Sequence, residues 1–241
     1  MLPVDRTRFV LVDVSHAGNV GAVARAMKVM GFRDLVLVAP RHADVLQQPQ
    51  ALAMASGADD VLAAARVVPV LGEALTGAQV VCATAMTPRD FGPPVFAPRE
   101  RLPALAGQGL SVAFVFGGER RGLANDDVYR CHLCLSVPTA SGFGSLNLAQ
   151  AVQLIAYEWR QALGGFEVTP RTPDPDIADA AEVQAALAHW HEVLQAIGYL
   201  DPAAPKRLMP RLNQLLNRAQ LRRDELHILR GIARAARRHV R

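Results

Sequence analysis

Three short stretches place glycine, arginine, asparagine and serine where they could do chemistry: "NVGAVARAM" (19–27), "FGGERRGL" (116–123) and "TASGFGSLNLAQAV" (139–152). In the first, Asn19 can cap a helix through its side-chain oxygen. Arg25 falls on the helix face away from Val20 and Met27, where it is either a solvated arginine or one that meets a ligand. Gly18 with Gly21 does not complete a dinucleotide-binding fingerprint. In the second, Gly117-Gly118 permits a tight turn and close approach to a bound molecule. Glu119, Arg120 and Arg121 follow, and Asn125 is placed to cap a helix. In the third, Ser145 is suited to cap a helix whose buried stripe is Leu148, Val152, Ile155 and Trp159. Gly142 and Gly144 would let backbone N–H groups approach a ligand. Taken singly, each stretch also reads as a plain loop or cap.

The elements around these stretches give them a common position. Apolar, β-branched runs at 8–14, 34–39, 66–70, 80–85 and 112–117 read as strands, as does "CHLCLSVP" (131–138). After the first strand, Val20, Val23, Met27 and Met30 recur at helical spacing, and Gly31 is placed to end the helix. Residues 47–64 read as helical with a break near Gly57, and a short helix fits near 72–77. Strands that alternate with helices and are apolar throughout indicate an α/β fold, a parallel sheet covered on both faces. Ligands of such sheets bind beyond the carboxyl ends of the strands. All three polar stretches fall at those ends.

The segment 164–180 holds five Gly/Pro residues and three Asp, and reads as a linker. Three helix patterns follow, at about 180–198, 206–218 and 224–239, giving an all-helical C-terminal unit. The expected division is 1–163, a linker over 164–180, and 181–241. The net charge of +4 is uneven: residues 206–241 carry 11 Lys+Arg against 2 Asp+Glu. Arg230, Arg234, Arg237, Arg238 and Arg241 form one stripe opposite Leu226, Leu229 and Ala233. Arg207, Arg211 and Arg218 line up on the preceding helix. An excess of this size points to a polyanion, most often nucleic acid.

A composition 51% hydrophobic and 20% charged fits a globular protein, and no apolar run of membrane-spanning length occurs. The charged N-terminus lacks the pattern of a signal peptide, so a cytoplasmic protein is expected. Cys82, Cys131 and Cys134 cannot build a disulfide framework. If "CHLC" is strand, its two thiols face opposite sides of the sheet, and no second Cys/His pair stands at metal spacing. No metal is expected.

Together, Asn19-x-Gly21-x-x-x-Arg25, "FGGERRGL" and "SLNLAQAV" resemble the three motifs of the SpoU-type (SPOUT superfamily) RNA ribose 2′-O-methyltransferases. The resemblance covers about residues 8–160. The greatest likeness is to the TrmJ branch, the tRNA (cytidine/uridine-32) 2′-O-methyltransferases, whose C-terminal extension "DELHILRGI" (224–232) also resembles. It implies S-adenosylmethionine as methyl donor, a trefoil knot at the end of the sheet, tRNA as substrate and a homodimer. By motif, the donor-lining residues would be Thr84, Ala85, Met86, Gly117, Val137, Gly144, Ser145 and Leu146. Arg25 matches the family's catalytic arginine, and Ser145 would share in catalysis. Asn19, Glu119 and Asn147 fall near the substrate or knot, while Arg207, Arg211, Arg230 and Arg234 would meet RNA. Other RNA sites, or a non-catalytic RNA-binding module, are the alternatives.

Overall fold

The computed structural model describes residues 6–85, 89–169 and 174–238. The chain divides into two compact units, Met1–Glu167 and Val168–Arg241. In the first, the elements run β1 (Thr7–Val12), α1 (Ala17–Val29), β2 (Asp34–Val38), α2 (Pro49–Ala55), α3 (Asp59–Ala64) and β3 (Arg66–Val68). There follow α4 (Leu71–Ala74), β4 (Val80–Thr84), β5 (Val95–Phe96), α5 (Pro98–Ala106) and β6 (Val112–Gly117). The unit closes with α6 (Asn125–Tyr129), β7 (Leu133–Leu135) and α7 (Leu148–Ala162).

The strands make one seven-stranded sheet in the order β3-β2-β1-β6-β4-β7-β5. Every pairing is parallel, as the uninterrupted apolar runs predict. Strand alternation sorts the side chains into two cores. Phe9, Leu11, Leu35, Leu37, Phe114 and Phe116 enter one with α1 and α7, while Val10, Val36, Ala113 and Val115 enter the other. The first core is aromatic at its centre. Phe9 lies 5.3 Å from Phe32 and 5.5 Å from Phe114, and Phe114 meets Trp159 edge-on at 5.6 Å. The Trp159 indole N–H donates to the Thr7 hydroxyl at 2.8 Å, which ties α7 to the first strand.

Gly21 has a structural task. A Cβ there would run into the backbone carbonyl of Ala51, so glycine lets α2 lie directly on α1. The expected break in 47–64 is real: Ser56 and Gly57 both take positive φ between α2 and α3. Two elements had no periodic signal, β5 and α5. The former is two residues long; the latter starts on Pro98 and contains Pro103.

The cysteine geometry differs from expectation. β7 begins only at Leu133, so Cys131 sits in the preceding turn and strand alternation does not apply to it. Cys131 and Cys134 therefore point into the same core. All three cysteines are free and buried.

In the second unit, α8 (Ala180–Ala196), α9 (Leu208–Ala219) and α10 (Arg223–Arg238) fall close to the three helix patterns. Val183, Ala186, Leu187, Leu216 and Leu226 form its core. Asp179 caps α8 in a capping box with Glu182. Ile177 bridges Arg222, and Arg223 pairs with both Asp176 and Glu182. Among the described residues, no helix is long and apolar enough to cross a membrane.

Candidate functional site

The site is built where β6 ends. A Cβ on Gly117 would collide with the backbone of Gly122 and Leu123, and one on Gly118 with the carbonyl of Asp13. Both glycines are thus required by backbone packed against backbone. Between them and Gly122 the chain makes a tight loop, closed by the Gly122 N–H donating to the Gly118 carbonyl at 2.9 Å. Gly122 takes a φ of 65°, which glycine adopts without strain.

This loop aims Glu119 at the start of α1. One carboxylate oxygen accepts from the Ser15 N–H at 3.1 Å and the Ser15 hydroxyl at 2.9 Å. The other accepts from the His16 N–H at 3.3 Å and the Asn19 side-chain amide at 2.8 Å. Burial would raise the Glu119 pKa, but the Asn19 bond and the backbone and Ser15 bonds outweigh it and hold the carboxyl below its ordinary value. A carboxylate at a helix N-terminus also meets the positive end of the helix dipole.

The expected caps are therefore reassigned. Asn19 lies inside α1, whose N-cap is His16 with no side-chain cap; Glu119 meets the exposed donors there instead. Asn147, not Ser145, is the N-cap of α7. Its side chain accepts from the Ala149 N–H at 2.9 Å, and Gln150 reaches back to the Asn147 N–H to complete a capping box. Asn125 is the first residue of α6, with Ala124 at the N-cap. The Asn147 amide in turn donates to the Asn19 side-chain oxygen at 3.1 Å. Glu119, Asn19 and Asn147, one from each sequence motif, form a single hydrogen-bonded chain.

Beside this chain lies a cavity of about 330 Å³. Its walls come from the carboxyl ends of β4, β6 and β7 and from the start of α7. Of the residues expected to hold a donor, Thr84, Ala85, Gly117, Val137, Gly144, Ser145 and Leu146 all line it, with Glu119 at one side. Met86 lies outside the described residues. Phe116, Leu135, Leu148 and Ala151 give it an apolar floor, and Arg89, Arg120 and Arg121 a basic edge. The Thr84 hydroxyl is committed to the sheet, donating to the Val115 carbonyl at 2.9 Å. Arg89 donates to the Asn125 side chain at 2.8 Å. Arg25 is not in the lining. It is exposed on α1, and its guanidinium has no hydrogen bond or ion pair among the described residues.

Arg120 and Arg121 stand in a motif quoted from the sequence, yet nothing in their spacing marks them as cavity residues. Arg89 sits in a proline-bearing loop with no pattern at all. In the helical unit, Arg207, Arg211 and Arg234 carry no ion pair among the described residues, whereas Arg230 donates to the Glu182 carbonyl at 3.2 Å. The basic stripe on α10 is thus partly turned inward, toward α8.

Chain-wide likenesses agree with this geometry. The family described as SpoU rRNA Methylase matches residues 6–157. The chain belongs to the SpoU methylase family. Its helical unit matches the TrmJ tRNA methyltransferase C-terminal domain over residues 181–241. Among SpoU relatives, the tRNA (cytidine/uridine/adenosine-2′-O-)-methyltransferase TrmJ of Pseudomonas aeruginosa is 43% identical, over 95% of this chain and 93% of that one. The tRNA (cytidine/uridine-2′-O-)-methyltransferase TrmJ of Photorhabdus laumondii is 40% identical, over 95% of each. The crystal structure of TrmJ from Z. mobilis ZM4 superposes with a TM-score of 0.78 at 35% identity, covering 96% of this chain and 99% of that one. The likeness read from three motifs of a SpoU methylase thus extends over nearly the whole chain.

Proposed function

We propose that this SpoU methylase is an S-adenosylmethionine-dependent tRNA ribose 2′-O-methyltransferase of the cytoplasm, acting on nucleotide 32 of the anticodon loop. The observation that carries the reading is the convergence of all three motifs on one cavity. Its volume of about 330 Å³ lies within the range of small-molecule sites. An apolar floor suits a nucleoside ring, and the backbone cradle at Gly117, where no Cβ fits, suits close approach of a ligand. The residues present fit the donor. When bound, S-adenosylmethionine supplies an activated methyl group on a sulfonium.

The chain's own contribution is placement and charge. Good alignment of nucleophile and acceptor removes about 7–11 kcal/mol of barrier. Thr84, Ala85, Gly117, Val137, Gly144, Ser145 and Leu146 would hold the donor. The Ser145 hydroxyl, freed from capping duty by Asn147, stands available at the cavity wall. Arg25 would grip the target phosphate and stabilise the alkoxide developing at the 2′-oxygen. A guanidinium stays protonated in a protein and is a poor base, so a phosphate oxygen or water takes the proton. Glu119, Asn19 and Asn147 satisfy one another, which supports a positioning role near the substrate for these three.

The same reading includes a trefoil knot at the carboxyl end of the sheet and a homodimer. The position of Arg25 outside the cavity lining, and the exposure of Leu154, Tyr157 and Leu163 on or next to α7, favour a site completed by a second copy. Residues 1–163 would form the methyltransferase domain, joined by a linker over 164–180 to a helical extension, 181–241, that grips the tRNA body. Arg207, Arg211 and Arg234, without an ion pair among the described residues, would be the contacts there, and Arg230 a partly committed one. Phosphate contacts of this kind give affinity without base readout.

The test is single-turnover methyl transfer by the Arg25→Ala variant, with the product site mapped in tRNA. A loss of at least a hundredfold at nucleotide 32 is expected, with donor affinity retained. Near-normal rates would sink the catalytic assignment, and methylation mapped to ribosomal RNA or another tRNA position would sink the site.

A further inference from the structure

A second, smaller pocket of about 120 Å³ adjoins the first and shares Gly118, Arg120, Arg121 and Gly122 with it. Its remaining walls are Asp13, Ser15 and Arg41, from the ends of β1 and β2. Three arginines and one aspartate thus line it. Arg41, Arg120 and Arg121 are exposed and make no ion pair among the described residues. Neighbouring Glu119 forms no ion pair with them among the described residues; its carboxylate oxygens accept from Ser15, His16 and Asn19.

The backbone beneath is held on three sides. The Arg41 N–H donates to the Val14 carbonyl at 2.9 Å, the Asp13 N–H to the Val38 carbonyl at 3.0 Å, and Gly122 closes the loop onto Gly118. The Arg120 and Arg121 side chains project from that closed loop. Such an arrangement suits an oxyanion, which arginine recognises by paired N–H donors. Two anions could reach it: a phosphodiester of RNA, or the carboxylate of the methyl donor.

We propose that this pocket holds a backbone phosphodiester of the RNA strand next to the nucleotide being methylated. It rests on the reading of the chain as an RNA methyltransferase. A phosphate seated here and a ribose presented to the larger cavity share the Gly118–Gly122 loop as their divide. The strand is then fixed in register without any base being read.

Arg41 touches only the smaller pocket and is the discriminating position. Full-length Arg41→Gln is compared with wild type for tRNA affinity across a salt series, and for S-adenosylmethionine affinity by calorimetry. One lost phosphate contact lowers the slope of log K against log salt by about 0.7–0.9, which is about four- to fivefold in affinity near 0.15 M salt. Arg41→Lys should recover part of this. Arg33→Gln, exposed just before β2 at the opposite end of the sheet, should leave the slope unchanged. An unchanged slope for Arg41→Gln, or an equal drop for Arg33→Gln, overturns the proposal. Weakened donor binding with an intact tRNA slope assigns the pocket to the donor carboxylate and overturns it as well. A wild-type chain that methylates no RNA, yet shows the Arg41 slope change, would remove the proposed function and keep the pocket.

Discussion

Replacing Glu119 by glutamine removes one acceptor oxygen from a carboxylate that receives four hydrogen bonds. The amide oxygen can still serve Asn19 and His16. The amide nitrogen then faces the Ser15 N–H and hydroxyl. The hydroxyl can rotate and accept, but the N–H meets a second donor and loses its partner. An unsatisfied N–H costs about 1–3 kcal/mol when buried, and this one is part-exposed, so the lower end applies. Loss of the charge at the α1 N-terminus adds about 0.3–1 kcal/mol. Weakening of the remaining bonds from charge-assisted to neutral brings the total to about 2 kcal/mol.

Urea unfolding followed by Trp159 fluorescence, in a Trp190→Phe background, reports on the unit that holds the site. The pH dependence gives a second check with a fixed sign. Glu119 titrates below its ordinary 4.5 in the folded chain, so its contribution is complete above 4.5 and is lost as pH falls through the lower folded value. The gap between wild type and Glu119→Gln should be about 2 kcal/mol at neutral pH and close in acid. Methyl transfer should fall about 10–100-fold, since the lost Ser15 bond and the lost charge loosen the chain that runs through Asn19 to Asn147. A neutral-pH gap under about 0.5 kcal/mol, or one that widens in acid, would refute the reasoning.

Three further outcomes follow from packing. Gly21→Ala should destabilise by about 1–2 kcal/mol, because the methyl meets the Ala51 carbonyl and this outweighs the roughly 1 kcal/mol that alanine gains in a helix; a stabilised variant in denaturant unfolding would contradict it. Trp159→Phe should cost about 1.5–3 kcal/mol, from the lost bond to Thr7 and the volume left beside Phe114, and calorimetry of the variant checks this. Burial pushes the Cys82 and Cys131 thiols up to about 12, and the Cys134 thiol up as well. A thiol reagent at pH 8 should therefore label the native chain slowly and the urea-unfolded chain at three sites; rapid native labelling would show the thiols to be accessible.

The sheet was legible because its strands are apolar on both faces, and α1 and α7 because their buried residues repeat at helical spacing. β5 was not, since a two-residue strand paired only through Val95 and Phe96 leaves no period to read. The site was half legible. Motif positions marked the cavity walls, but the caps were misassigned for two different reasons. For α7 the signal was present: Asn147 followed three residues later by Gln150 is a capping-box pattern, and Ser145 has no such partner. For α1 it was absent, because the group meeting its first donors is Glu119, 104 residues from Ser15. Local sequence cannot report an acceptor delivered by the topology.

That topology also explains why three motifs so far apart act as one. Strand β6 enters the sheet between β1 and β4, so the loop after it must emerge beside the start of α1. Glu119 then has α1 within reach, and Asn19 passes the connection on to Asn147 at the head of α7. Two helices are pinned at their N-termini by one carboxylate. Gly21, two residues beyond Asn19, lets α2 clamp α1 along its length, and Arg25 lies one turn further on, free and exposed. Among the described residues its guanidinium has no hydrogen bond or ion pair, and the helix that carries it is fixed at its start and along its side. On the proposed function, those donors are the ones that meet the substrate.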